Sequence, residues 1–141
     1  MSKYNNKKCE YKDIQFDSDL EMRYFQYLEE NKISLGIKEI GMKKKYIIFP
    51  SYNFNGKKVQ PITYTSDFEL EYENGKRETI DVKGKRTEAF NLKKKMFESQ
   101  FNELKLIGYS KIDGGWVEHS VIEKARKERK KLKEINKSNK I

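Results

Sequence analysis

The chain has one cysteine, Cys9, and one histidine, His119, among its 141 residues. A single cysteine excludes an internal disulfide, and one of each excludes a Cys/His zinc site. Any metal must then be held by oxygen ligands. Cys9 has no plausible base near it in sequence and reads as a bystander rather than a nucleophile. No apolar run approaches ~20 residues, so no transmembrane helix is expected. The N-terminal MSKYNNKKCEYK lacks the apolar stretch of a secretory signal. There is no internal repeat.

What the chain does have is charge and rings. Charged residues make up 38%, hydrophobic residues 35% and aromatics 13%, with nine Tyr and eight Phe. That length and composition support one domain whose core is rich in rings with polar tips. Formal net charge is +9. From Val121 onward nine Lys or Arg face three Glu, so most of the excess sits in the C-terminal segment. Such an excess suits a polyanion partner, and a solvated helix face accounts for it as well.

Residues 1–15 are polar and basic and read as a flexible arm. Ser18 is a candidate N-cap for a helix from Asp19 to about Asn31, with Leu20, Tyr24, Tyr27 and Leu28 at helical spacing. Strand character follows from Lys38 to Pro50. The Asn55-Gly56 turn suggests Tyr52–Phe54 pairing with a strand near 59–62. The segment TEAFNLKKKMFESQF places Phe90, Phe97 and Phe101 on one helical stripe, and LKLIGYS reads as a strand. After the Gly114-Gly115 break, His119 reads as a loop or helix-start residue, Trp116 as a packing anchor, and the remainder as a basic helix. The expectation is an α/β or α+β fold, a small mixed sheet flanked by helices. Its parts are the arm 1–15, a core 16–110 and a basic helical extension 111–141.

The stretch ITYTSDFELEYENGKRETIDVKGK carries the chemistry. Phe68, Leu70 and Tyr72 alternate with Asp67, Glu69 and Glu71, and Ile80 and Val82 alternate with Thr79, Asp81 and Lys83. A two-residue Asn74-Gly75 turn would split the apolar face between two sides. A three-residue loop, Glu73–Gly75, pairs Phe68 with Ile80 and keeps the face whole, and a one-residue slip would flip every side chain. This register sets Asp67 opposite Asp81. Like charges facing each other across a ladder are unfavourable. Two carboxylates there are a start on a Mg²⁺ site, since Mg²⁺ needs only one or two besides water and substrate phosphate. On a solvated face the same pair would cost little. Glu21 belongs to Ser18-x-x-Glu21, a capping box, which taken alone explains it. It also borders the apolar stripe of its helix, from which a carboxylate could reach the Asp67/Asp81 site.

A helix glutamate, an Asp on one hairpin strand, Asp-x-Lys on the next and a basic helix together resemble the PD-(D/E)XK nuclease superfamily. FDSDLEMRYFQYL, ITYTSDFELEY, IDVKGKRTEAFNLKKKMFE and LKLI are similar to a phage family of small proteins often likened to endonuclease I type Holliday junction resolvases. The resemblance covers roughly residues 3–109. It implies a restriction-endonuclease-like core and metal-dependent hydrolysis of DNA phosphodiesters, selective for branched DNA. Glu21, Asp67 and Asp81 would be the acidic ligands, the Val82 carbonyl a further one, and Lys83 the catalytic lysine, with Mg²⁺ or Mn²⁺ as cofactor. Ser66 stands where the superfamily's name has proline, and Asp81 where many members have Glu. Lys85, Arg86, Lys93, Lys94 and Lys95 would track phosphates, extended by Lys124, Arg126, Lys127, Arg129, Lys130 and Lys131. The implied location is the cytoplasm, of a bacterial host if phage-encoded, and paired cuts across a junction would suit a homodimer. A general or repair or restriction-like nuclease, and a non-catalytic nucleic-acid-binding protein, remain open.

Overall fold

The computed structural model describes residues 9–139. The chain begins there with a small hairpin, β1 (Cys9–Tyr11) and β2 (Ile14–Phe16), so the segment expected to be a flexible arm carries structure from Cys9 onward, and residues 1–8 lie outside the described residues. Phe16 and Tyr11 pack on the first helix, and this ring-to-ring contact is what fixes the hairpin.

Helix α1 (Asp19–Glu30) starts where expected: the Ser18 side chain accepts from the Glu21 amide at 3.2 Å. Its buried stripe, Tyr24, Phe25 and Leu28, meets Phe68, Leu70, Ile80 and Val82. Those four belong to the hairpin β8 (Phe68–Tyr72) and β9 (Arg77–Val82). Phe68 pairs with Ile80 in the expected register. The connection is the three-residue loop: Gly75 has φ +86°, the Tyr72 amide donates to the Lys76 carbonyl at 2.8 Å, and the Gly75 amide to the Tyr72 carbonyl at 2.9 Å. Gly75 supplies the left-handed residue that such a loop needs.

The main sheet has the order β11 (Gly115–Glu118), β10 (Leu104–Ser110), β9, β8, β3 (Ile37–Met42). Strand β3 lies antiparallel to β8, and β10 parallel to β9. A parallel neighbour needs a crossover, which helix α2 (Glu88–Gln100) provides, capped by Thr87 accepting from the Phe90 amide. Phe90 and Phe97 of α2 pack on Leu104, Leu106, Ile48 and Tyr64, a second core on the sheet face opposite α1. The fold is thus a small mixed sheet between helices.

Two boundaries differ from expectation. Strand β11 (Gly115–Glu118) pairs with β10, and Trp116 packs against Tyr24, Tyr27 and Tyr109. Residue 110 is therefore the middle of a sheet hairpin, and the extension beyond the core begins only within α3 (His119–Ser138). Strand β4 (Lys45–Phe49) pairs with β7 (Ile62–Thr65), and β5 (Tyr52–Phe54) with β6 (Lys57–Val59). The partner of Tyr52–Phe54 thus ends at Val59, because 62–65 is claimed by β4. The resulting ribbon leaves Phe49, Tyr52 and Phe54 exposed. No helix among the described residues is long and apolar enough to cross a membrane.

Candidate metal and phosphate site

Strand β9 is the centre of the sheet, and its last four residues, Thr79 to Val82, are all buried. Ile80 and Val82 point into the α1 core. By the alternation of a strand, Thr79 and Asp81 point to the other face. That face is covered by α2 and the β4–β7 ribbon rather than solvated, so its polar residues are buried too. Glu69 accepts from Tyr46 at 2.5 Å, Ser66 at 3.0 Å and Thr79 at 2.9 Å, which satisfies a carboxylate under the ribbon.

Asp67 lies one residue before β8. Its amide donates to the Ile80 carbonyl at 3.2 Å, and its Oδ2 accepts from the Val82 amide at 2.8 Å. The regular ladder therefore ends at Phe68–Ile80, and the Asp67 carboxylate takes over the next donor on β9. Asp81 Oδ1 accepts from the Tyr64 hydroxyl at 2.6 Å. Asp81 Oδ2 lies 3.4 Å from Lys83 Nζ but has no hydrogen-bond partner, although it is buried. Burial, and then the negative charge of Asp67, push the Asp81 carboxyl up to about 6. A buried carboxylate oxygen without a donor, next to a second carboxylate, is a local excess of negative potential. A proton or a divalent cation could offset it, beside the Lys83 ammonium 3.4 Å away.

Glu21 is brought to the same place. Its amide serves the Ser18 cap while its carboxylate faces the sheet, buried, where Lys43 Nζ donates to Oε2 at 3.1 Å. Burial, and then Asp67, push the Glu21 carboxyl up to about 7. Lys43 also donates to Asp67 Oδ1 at 3.3 Å and to Asp17 Oδ2 at 3.0 Å. Among the described residues no group of three or more Asp, Glu, His or Cys side chains is arranged to hold a metal ion by itself. Asp67 and Asp81 are the two carboxylates that could serve an ion such as Mg²⁺, which keeps several waters and needs only one or two carboxylates.

Lys83 follows β9. Its amide donates to the Ile107 carbonyl at 3.0 Å, and its own carbonyl accepts from His119 Nε2 at 2.6 Å. The ammonium sits 4.7 Å from the Phe90 ring centroid, beside Asp81. His119 can approach because Gly108 has no side chain: a Cβ there would lie 2.9 Å from the His119 ring. The first residue of α3 thus holds the backbone from which the lysine projects.

The sequence expectations for Glu21, Asp67, Asp81 and Lys83 converge on this one region. The expected phosphate contacts do not behave alike. Lys85, Lys93 and Lys95 are exposed around the start and outer face of α2, whereas Lys94 pairs with Glu98 at 2.8 Å. Arg86 lies 3.7 Å from Glu123, and Arg129 makes two hydrogen bonds to Asp113 at 2.8 and 3.3 Å. These two arginines fasten α3 to the body. Lys124, Arg126, Lys127, Lys130 and Lys131 are exposed along α3.

Sequence reading missed Lys43, Tyr64 and His119. It expected the hairpin at Tyr52–Phe54 but not the basic character of the ribbon: residues 40–66 hold five Lys and no acid, a signal visible in composition alone. The family of proteins of unknown function designated DUF1064 matches residues 1–121. The chain belongs to that family. The match covers every residue of the site and stops inside α3, so the basic helix lies largely beyond it. No curated protein and no solved structure matches the chain.

Proposed function

We propose that this DUF1064 protein is a metal-dependent DNA endonuclease, selective for branched DNA in the manner of a Holliday junction resolvase. The observation that carries the reading is the buried Asp81 Oδ2, left without a hydrogen-bond donor between Asp67 and Lys83. Asp67 and Asp81, with the Val82 carbonyl, would hold Mg²⁺ or Mn²⁺. Such an ion, when bound, polarises a phosphoryl oxygen and makes a bound water a stronger nucleophile. Lys83, fixed at its backbone by His119 and Ile107, supplies a positive charge beside the scissile phosphate and offsets the charge that builds there. Tyr64 orients Asp81 by donating to Oδ1, which would leave Oδ2 to hold the ion.

Substrate binding falls to the exposed lysines. Lys85, Lys93 and Lys95 are exposed before and along α2, Lys44, Lys45, Lys57 and Lys58 line the ribbon, and Lys124 to Lys131 extend along α3. They suit the phosphate backbone and carry no base readout, which fits recognition of DNA shape. A soluble chain acting in the cytoplasm, as a homodimer for paired cuts, completes the proposal.

The test is cleavage of a four-way DNA junction and its matched linear duplex, with Mg²⁺ or EDTA, by the wild type, Asp81→Ala and Lys83→Ala. Junction-selective nicking that requires the metal and both residues is expected. Cutting of both DNAs would make it a general nuclease. Binding without cutting, unchanged by either substitution, would leave a nucleic-acid-binding protein and remove the reading.

A further inference from the structure

Lys43 is the least expected group near the site. It lies in the two-residue connection between β3 and β4, within a run of three lysines that sequence alone would leave in solvent. Its backbone is left-handed, with φ +54°, a conformation uncommon for a residue with a side chain. The connection is held to the site's own strand end: the Lys43 amide donates to the Asp67 carbonyl at 3.4 Å, and the Ser66 amide to the Lys44 carbonyl at 2.9 Å. From there the ammonium reaches three carboxylates at once, Asp17, Glu21 and Asp67, at 3.0, 3.1 and 3.3 Å. Glu21 and Asp67 are about nine-tenths buried. Lys43 itself keeps about a third of its side chain in solvent, and its neighbours Lys44 and Lys45 are exposed.

Asp67 is shared. Its Oδ1 faces Lys43, while its Oδ2 faces β9, where Asp81 lies. A carboxylate between two cation positions is the arrangement of two-metal phosphodiester chemistry, in which the ions stand about 3.5–4 Å apart. Here one of the two positions already holds a charge of +1, covalently tethered. A second divalent ion would have to enter beside that ammonium or expel it from three carboxylates. Resting on the proposed metal-dependent chemistry, we propose that Lys43 occupies the second cation position, so that the protein takes a single divalent ion, on the Asp67/Asp81 side. Glu21 is then a partner of Lys43 and not a ligand of the metal.

The test is direct binding of Mn²⁺ to the full chain without DNA, by titration calorimetry, with free Mn²⁺ followed by electron paramagnetic resonance. The wild type is expected to bind one ion per chain, Lys43→Arg likewise one, and Lys43→Met two. Glu21→Gln is expected to keep the wild-type affinity within about twofold, whereas Asp81→Asn weakens it by tenfold or more. Glu21→Gln keeps the question open to refutation if Lys43→Met does not fold. Two ions on the wild type, an unchanged single ion on Lys43→Met, or a tenfold loss in Glu21→Gln would each overturn the assignment while leaving a metal nuclease in place. No Mn²⁺ on any variant would overturn the assignment and the metal-dependent function together.

Discussion

The two faces of the main sheet use the same strands and are packed in opposite ways. Toward α1, Phe68, Leu70, Ile80 and Val82 meet Phe16, Tyr24, Phe25 and Leu28, a contact made of rings and branched chains. Toward α2 and the ribbon, apolar residues Leu104, Leu106, Ile48 and Phe97 surround a polar seam of Glu69, Thr79, Asp67 and Asp81. Period-two alternation makes the difference possible, since neighbours on β9 serve opposite faces. The lesson is a division of labour within one strand: Ile80 and Val82 hold the fold, and Asp81 between them is free to be electrostatically unfavourable.

The sharpest break of this comparison is to substitute one residue on each face. Asp81→Asn should reduce DNA cleavage at saturating metal by roughly a thousandfold or more, about 4 kcal/mol in the barrier. The same variant should unfold in urea at no lower a concentration than the wild type at pH 8, because a buried like charge has been removed. Phe68→Ala, on the opposite face, should cost about 3–5 kcal/mol in the same urea titration, since a fully buried ring leaves a cavity. If Asp81→Asn were the more destabilising of the two, the division between faces would be wrong.

The α1 face was legible in the sequence because its rule is local. Ser18 caps the helix it precedes, and the Phe68–Ile80 register follows from a loop length that alone keeps four apolar residues together. The other face was legible only in part. Asp67, Asp81 and Lys83 stand out by motif, but their burial depends on Ile48 and Tyr64 arriving from the ribbon, a long-range pairing that no local pattern announces. Lys43 could not be distinguished from Lys44 and Lys45: which of the three meets the carboxylates of Asp17, Glu21 and Asp67 is decided by a left-handed residue at the junction of two strand pairings. His119, read as a loop or helix-start residue, is the first residue of α3, yet its bond to the Lys83 carbonyl depends on Gly108, 11 positions away on β10.

A smaller effect sharpens the same comparison through pH. The Asp81 carboxyl is pushed up to about 6 and that of Glu21 to about 7, from ordinary values near 4, chiefly by burial. In that window the folded state binds more protons than the unfolded one, so stability falls as pH rises from about 4.5 to 7.5. Each unit of displacement corresponds to about 1.4 kcal/mol, and the pair act on each other through Asp67. Urea midpoints measured across this range should decline for the wild type, and less steeply for Asp81→Asn. The carboxylates held by donors respond in the opposite sense: Glu78, bonded by Lys105 and Tyr72, is lowered despite its burial, and it loses its contribution only as pH falls below the usual carboxylate range. A flat profile between pH 4.5 and 7.5 would mean that the seam is not as unfavourable as its geometry implies.

The smallest change in stability and the largest in salt dependence should come from the end of α3. From Lys130 to Asn139 every side chain is exposed, and among the described residues Arg129, bonded to Asp113, is the last that fastens the helix to the body. Among the described residues, ending the chain after Arg129 removes no buried side chain, so the urea midpoint should move by less than about 0.5 kcal/mol in equivalent stability. The segment removed carries Lys130, Lys131, Lys133, Lys137 and Lys140 against one Glu. If these residues lie on phosphates, the logarithm of DNA affinity should fall less steeply with the logarithm of salt, by about 0.9 for each duplex phosphate that the shortened chain no longer neutralises. Binding measured by fluorescence anisotropy across roughly 50 to 200 mM salt reads that slope directly. An unchanged slope would assign DNA binding to the ribbon and α2 alone, and would leave the outer half of α3 as a solvated helix.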